Sequence, residues 1–221
     1  MGETITLTAD DGHGLGAYRA RPPGTARGGL VVIQEIFGVN GHIRGVCDGF
    51  AEAGYEVIAP ALFDRIETGV ELAYDEAGIA RGRAIRTGVG NDNAVRDVAA
   101  AAAALADAGR VGCVGYCWGG TIAWLAGTRL GLAAAVGYYG SQIIEYNHEH
   151  PQCPAMLHYG EHDASTPAGD IRRVRAAHPE IAVQLYPAGH GFNCDRRGDY
   201  HVESAALARE RSLAFFAEHL G

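Results

Sequence analysis

Lysine is missing from this chain: all 18 basic residues are arginine. That excludes a lysine Schiff base and the phosphate-binding lysine of a Walker loop. Positive charge is also in short supply, since 26 acids against 18 bases leave a net charge of −8. A nucleic-acid partner is therefore not expected, because phosphate-backbone affinity needs clustered cations. Cysteine is sparse, five in 221 residues with no Cys-x-x-Cys spacing. An odd, scattered set argues against a disulfide framework and fits a reducing, cytoplasmic setting. The longest uncharged apolar run lies between Asp97 and Asp107, is nearly all alanine, and is too short to span a bilayer. The opening Met1-Gly2-Glu3-Thr4 has no basic segment followed by an apolar one, so no secretory signal and no membrane partner are read. Repeats, low-complexity tracts and Pro/Ser linkers are absent as well, and residues 1–221 are expected to form a single domain.

What the chain does have is short apolar runs alternating with helical stretches. Thr4–Thr8 alternates apolar and polar, Asp10–Gly14 is turn-like, and Leu15–Tyr18 follows, which reads as an amino-terminal hairpin. The unbroken runs Leu30–Gln34, Tyr55–Ala59, Val111–Tyr116, Ala133–Tyr139, Ala155–Tyr159 and Val183–Tyr186 suit parallel strands buried on both faces. Helices are expected near His42–Ala53, Asn93–Ala108, Trp118–Gly127, Ala168–Ala177 and Val202–His219, with Thr166-Pro167 as an N-cap and first-turn proline. The segment Asp64–Asp92 has only weak helical periodicity, near Leu72–Ile85, and reads as a helical excursion over the site. The fold class is α/β, a mostly parallel sheet with helices on both faces. In such sheets chemistry gathers at the carboxyl ends of strands.

The sharpest feature is an apolar strand running into Gly115-Tyr116-Cys117-Trp118-Gly119-Gly120 and then into a helix. Gly-x-Cys-x-Gly after a strand is the nucleophile-elbow pattern with cysteine in place of serine. The turn is so sharp that side chains two residues either side of the nucleophile would meet backbone. It places Cys117 at a helix N-terminus, where the dipole favours a thiolate, and leaves the Trp118 N–H for an oxyanion. The alternative is a buried structural cysteine. Two further strand ends carry Asp163, in Gly160-Glu161-His162-Asp163, and His190, in Gly189-His190-Gly191-Phe192. Nucleophile, acid, histidine is the chain order of α/β-hydrolases. A fourth strand end carries Gln34-Glu35-Ile36-Phe37-Gly38, which by position supplies a second oxyanion N–H from Ile36 and a carboxylate, Glu35. Phe37, Trp118, Tyr138 and Tyr139 lie near strand ends, where they either line the pocket or simply pack.

These motifs, with Val136-Gly137-Tyr138-Tyr139-Gly140 and Ala188-Gly189-His190-Gly191-Phe192, make the chain resemble the dienelactone hydrolase (carboxymethylenebutenolidase) family over nearly its whole length. The resemblance implies a single α/β-hydrolase domain with a Cys117–Asp163–His190 triad; no cofactor or metal is expected. It implies oxyanion donors at Ile36 and Trp118, and a Glu35 that contacts the resting thiol and helps activate it. It also implies two arginines for a substrate carboxylate. Here the chain departs: four residues after His190 stands Cys194, with Arg196 and Arg197 beyond it as substitutes, and Gly191 stands where well-known members have serine. The second arginine falls in Asp64–Asp92, with Arg81 as the choice and Arg83 as the alternative. Arg81, Phe37 and Tyr139 are thus the expected substrate-binding residues.

The reading is a hydrolase of small carboxylic esters or lactones acting through an acyl-thioester. Its rivals are a broad carboxylesterase or thioesterase on the same triad, and a non-catalytic binding protein on the same fold. His148-Glu149-His150 with Cys153 has the look of a metal tetrad, but polar loops produce such clusters and no zinc signature accompanies it. Cys47, Cys113 and Cys153 read as packing or loop residues, and Arg172, Arg173 and Arg175 as a solvated helix face. The oligomeric state is not legible.

Overall fold

The continuous apolar runs become strands of one eight-stranded sheet, and all but the last of them bury both faces. The computed structural model describes residues 2–221. Strands β1 (Glu3–Thr8) and β2 (Gly14–Ala20) form the amino-terminal hairpin, turning through Gly12 at φ 83°. Then come β3 (Gly29–Ile33), β4 (Glu56–Pro60), β5 (Val111–Tyr116), β6 (Ala134–Tyr138), β7 (Ala155–Gly160) and β8 (Ala182–Tyr186). The spatial order is β1-β2-β4-β3-β5-β6-β7-β8, with β1 and β2 antiparallel to their neighbours and all other pairs parallel.

Alternation along single strands builds two cores. Leu30 and Val32 of β3 face one side, with Val57, Val114 and Val136, against helices α1 (Gly41–Glu52) and α6 (Val202–His219). Val31 and Ile33 face the other, with Ile58, Cys113 and Leu157, against α3 (Asn91–Ala103) and α4 (Trp118–Arg129). The remaining helices are α2 (Glu76–Val89) and α5 (Ala168–Ala177). Among the described residues, no helix is long and apolar enough to cross a membrane.

Three local expectations are corrected. The helix expected to run to Ala108 stops at Ala103, because Leu105 turns into the core and Gly109 takes φ 106°. Strand β8 is not buried on both faces: it is the edge of the sheet, and Leu185 is exposed. Pro167 rather than Thr166 occupies the N-cap of α5, and the Thr166 hydroxyl turns instead to Asp163 Oδ2 at 3.3 Å. The weakly periodic segment does hold a helix, α2. It presses onto the loop after β3: a Cβ on Gly82 would lie 1.9 Å from the Ile36 carbonyl oxygen.

The chain passes from β3 to β4 on one side and later to β5 on the other. This reversal opens a crevice at the carboxyl ends of β3 and β5. The residues after those two strands begin at Gln34 and Cys117.

Candidate active site

Cys117 follows β5 directly and precedes α4, with φ 56° and ψ −115°. A non-glycine residue in that region is strained, and such strain persists only where surrounding structure enforces it. Here the Cys117 N–H is tied to the Tyr138 carbonyl at 3.0 Å, and its own carbonyl accepts from Gly120 and Thr121. The neighbouring glycines leave no alternative. A Cβ on Gly119 would lie 2.4 Å and 2.5 Å from the carbonyl oxygens of Ile33 and Gln34. Helix α4 therefore starts in direct backbone contact with the end of β3, which brings the Gln34–Phe37 loop beside the cysteine.

His190 meets that cysteine from the loop after β8. Its Nε2 lies 3.2 Å from Cys117 Sγ, and its Nδ1 lies 2.8 Å from Asp163 Oδ2. A carboxylate only accepts, so the ring hydrogen sits on Nδ1 and Nε2 faces the sulfur. Asp163 follows β7 and is fixed in turn: Ser165 donates to Oδ1 through both its N–H and its hydroxyl, at 2.8 Å and 2.5 Å. The Ser165 oxygen also stands 2.8 Å from His190 Nδ1 and shares that hydrogen. Burial raises the Asp163 pKa, but the bond and charge of His190 and the Ser165 donors outweigh it and hold the carboxyl below its ordinary value. Burial likewise lowers the His190 pKa, but the partners Asp163 and Cys117 prevail and push it up to about 10.

Trp118 follows Cys117 at the start of α4, and Ile36 lies in the loop after β3. Among the described residues, neither backbone N–H donates to a protein acceptor. The Trp118 ring plays no part in the opening, being buried near Phe63 with its Nε1–H donated to Asn91 Oδ1 at 2.8 Å. Tyr138 is also packed away, its hydroxyl 2.8 Å from Ser212.

Glu35 is fully buried, yet no hydrogen bond joins it to the Cys117 thiol. Its Oε2 accepts from the Tyr74 hydroxyl at 3.0 Å, and its Oε1 lies 3.5 Å from Arg197. A buried carboxylate takes the cation and the strong donor in preference to a thiol, which donates weakly. Asn40 holds Tyr74 from behind at 3.1 Å. His42 and Cys194 also approach Glu35, with ligand atoms of all three within 4.8 Å of one another.

The expected substrate-binding residues are placed differently. Arg81 is exposed and its guanidinium is taken by Glu67 at 2.7 Å; Arg83 is exposed on the same helix. The arginine at Glu35 is Arg197, only 17% exposed, with its guanidinium carbon 6.0 Å from the Phe37 ring centroid. Phe37 itself is buried between Arg197 and Tyr74. Tyr139 is wholly buried at φ 40°, its ring edge against His190 at 5.1 Å, so it props the imidazole and presents no free surface. Gly191 explains its own departure: at φ 78°, a Cβ there would stand 2.7 Å from Arg197 Nε. Glycine at 191 and arginine at 197 are a coupled pair, since a serine would occupy the space of the guanidinium. Tyr74 and Ser165 were not anticipated from sequence; Tyr74 lies in the weakly patterned segment, and nothing but its nearness to Asp163 marks Ser165.

The model of the dienelactone hydrolase family matches residues 15–220. The chain belongs to the dienelactone hydrolase family. It is 32% identical to the carboxymethylenebutenolidase of Pseudomonas putida, covering 97% of this chain and 96% of that one. A solved structure from Klebsiella pneumoniae, named for dienelactone hydrolase, superposes with a TM-score of 0.85 at 31% identity, covering 98% of this chain and 99% of that one. A dienelactone hydrolase-like promiscuous phosphotriesterase from metagenomic libraries reaches 0.82 at 19% identity, over 100% of this chain and 99% of that one, a likeness of fold alone. With the family goes the α/β-hydrolase fold and the enzyme class, carboxylic ester hydrolase.

Proposed function

We propose that this member of the family cleaves esters or lactones with good leaving groups through a Cys117–His190–Asp163 triad. The observation that carries the reading is the line of contacts from sulfur through imidazole to carboxylate, at 3.2 Å and 2.8 Å. The thiol proton passes to His190 Nε2, where the raised pKa holds it as an imidazolium, and the thiolate adds to the substrate carbonyl. The oxyanion is held by the Ile36 and Trp118 N–H groups, each worth about 3 kcal/mol of barrier. As the carbon–oxygen bond to the leaving group breaks, the imidazolium returns its proton to that oxygen. The product is an acyl-thioester, or for a lactone the ring-opened one. Water then attacks with His190 as base, the carbon–sulfur bond breaks, and the acid departs. Asp163 keeps the tautomer and stabilises the imidazolium.

A thiolate is a better leaving group than an alkoxide, so an intermediate formed from a simple alkyl ester falls back to substrate. Enol lactones, aryl esters and thioesters escape this. Turnover of p-nitrophenyl acetate or an enol lactone is expected to exceed that of ethyl acetate by at least about 100-fold, a difference near 3 kcal/mol. Comparable rates would refute the thiol mechanism. Arg197 takes the substrate-carboxylate task that Arg81 does not fill. Arg197→Met is expected to raise KM for a carboxylate-bearing lactone by about 10–100-fold and for neutral esters much less. An equal effect on both would assign Arg197 to holding Glu35 alone, and a neutral-ester enzyme would be the better reading.

The pH profile tests the imidazole. His190 is raised, so its bound proton stabilises the fold in full below about pH 6.5, and that contribution is lost as pH rises through about 10. The same proton goes to the leaving group, so kcat/KM is expected to fall on the alkaline side near pH 10. Asp163→Asn removes a partner that raises this value and should move the alkaline limb toward 6.5, as well as lowering the plateau. An unmoved limb would exclude Asp163 as the partner of His190.

A further inference from the structure

We propose that His150, His178 and Glu180 bind one divalent transition-metal ion, with zinc the best match, away from the triad. His178 follows α5, and its side chain is fully buried, edge-on to the Trp124 ring at 4.9 Å. Its Nε2 stands 3.1 Å from the Asn147 carbonyl oxygen. That oxygen can only accept, so Nε2 carries the hydrogen and a neutral ring leaves Nδ1 as a bare lone pair. Nδ1 is buried and has no hydrogen-bond partner among the described residues. The nearest charged group it faces is Glu180, with Oε1 at 3.6 Å. A buried lone pair facing the half-exposed Glu180 carboxylate is unfavourable unless a proton or a metal ion stands between them.

The spacing fits such a cation. Two ligands on one zinc, each about 2.1 Å from it at tetrahedral angles, lie about 3.4 Å apart. His150 completes the set: its ring centre is 5.0 Å from that of His178, and the ligand atoms of all three residues lie within 4.8 Å of one another. The Asn147 carbonyl behind His178 is the outer-shell partner that metal-bound histidines commonly have. His150 and Glu180 are exposed, which gives the ion a route in and leaves its remaining position to water. Two imidazoles and a carboxylate suit zinc, nickel or copper better than magnesium or calcium, which want oxygen ligands.

This is not the sequence tetrad. Glu149 is taken by Arg129 and the Thr128 hydroxyl, and the Cys153 thiol lies against the Gly127 carbonyl. Only His150 carries over, and its partners come from the turn between α5 and β8. The ion would clamp that turn to the loop leading into β7.

Zinc chloride titrated calorimetrically into the tag-free, chelator-stripped full chain tests this. Wild type and Cys117→Ala are both expected to bind one ion, and zinc should raise the melting temperature of both. His150→Ala, an exposed change, should weaken binding at least about 10-fold and cancel the thermal shift while keeping wild-type ester turnover. Nickel should quench Trp124 fluorescence in wild type and not in His150→Ala. Loss of zinc binding in Cys117→Ala would place the ion at the nucleophile and overturn the proposal. So would binding that His150→Ala and Glu180→Gln each weaken less than 10-fold, or no binding at all.

Discussion

Cys117→Ala is expected to lower turnover of an activated ester by at least about 10⁴-fold while leaving the fold intact. The change deletes one sulfur and leaves the backbone, the elbow and the two proposed oxyanion donors, Ile36 and Trp118, in place. His190→Ala should cost about as much, and the double variant little more, because the nucleophile and its base act as a unit. Chemical modification gives the same test without mutation. Cys47 and Cys113 are wholly buried, and burial holds their thiols well above the ordinary value. Burial also pushes Cys153 and Cys194 up to about 11. Cys117 alone sits at a helix N-terminus against an imidazole, so iodoacetamide should inactivate the enzyme in step with loss of one fast-reacting thiol. A Cys117→Ala protein that retains turnover would remove the basis of the mechanism.

The parts legible in the sequence are those that backbone sterics and burial impose locally. Gly115-x-Cys117-x-Gly119 after an apolar run permits few structures other than an elbow, and strand ends locate Asp163 and His190. The parts that stayed hidden depend on how distant segments pack. Arg81 and Arg197 are both plausible from position. What separates them is the phase of α2, which turns Gly82 onto Ile36 and leaves Arg81 to Glu67 at the surface. Tyr74 reaches Glu35 across 39 positions of chain from a segment with no clear period. Phe37 and Tyr139 sit at strand ends as a pocket lining would, but their burial is decided by Tyr74, Arg197 and His190, none adjacent in sequence. The departure at Gly191 makes sense only beside Arg197, since neither residue predicts the other until the loop is folded.

Gly115→Ala is expected to be the most damaging single methyl that can be added to this site. Gly115 lies in β5, paired with Ile33 of β3 and Gly137 of β6. A Cβ there would stand 1.8 Å from the Gly119 carbonyl oxygen and 2.3 Å from its carbon. Both are backbone atoms of the first turn of α4, and that turn is itself pressed on the end of β3, so no side chain can yield. Either α4 lifts off the sheet or β5 shifts against two neighbours. Relief of such an overlap costs about 3 kcal/mol or more, a fall in melting temperature of about 6–12 °C for a chain of this size. Lifting α4 also carries Cys117 from His190 and moves the Trp118 N–H, so residual folded protein should have little turnover. Gly45→Ala is the matched control. Gly45 is exposed in the middle of α1, with no atom within 4 Å of the added carbon. Helix propensity alone then acts, and stability should rise by about 0.5–1 kcal/mol. If the two variants melt alike, close backbone contact at the elbow is not what positions the nucleophile.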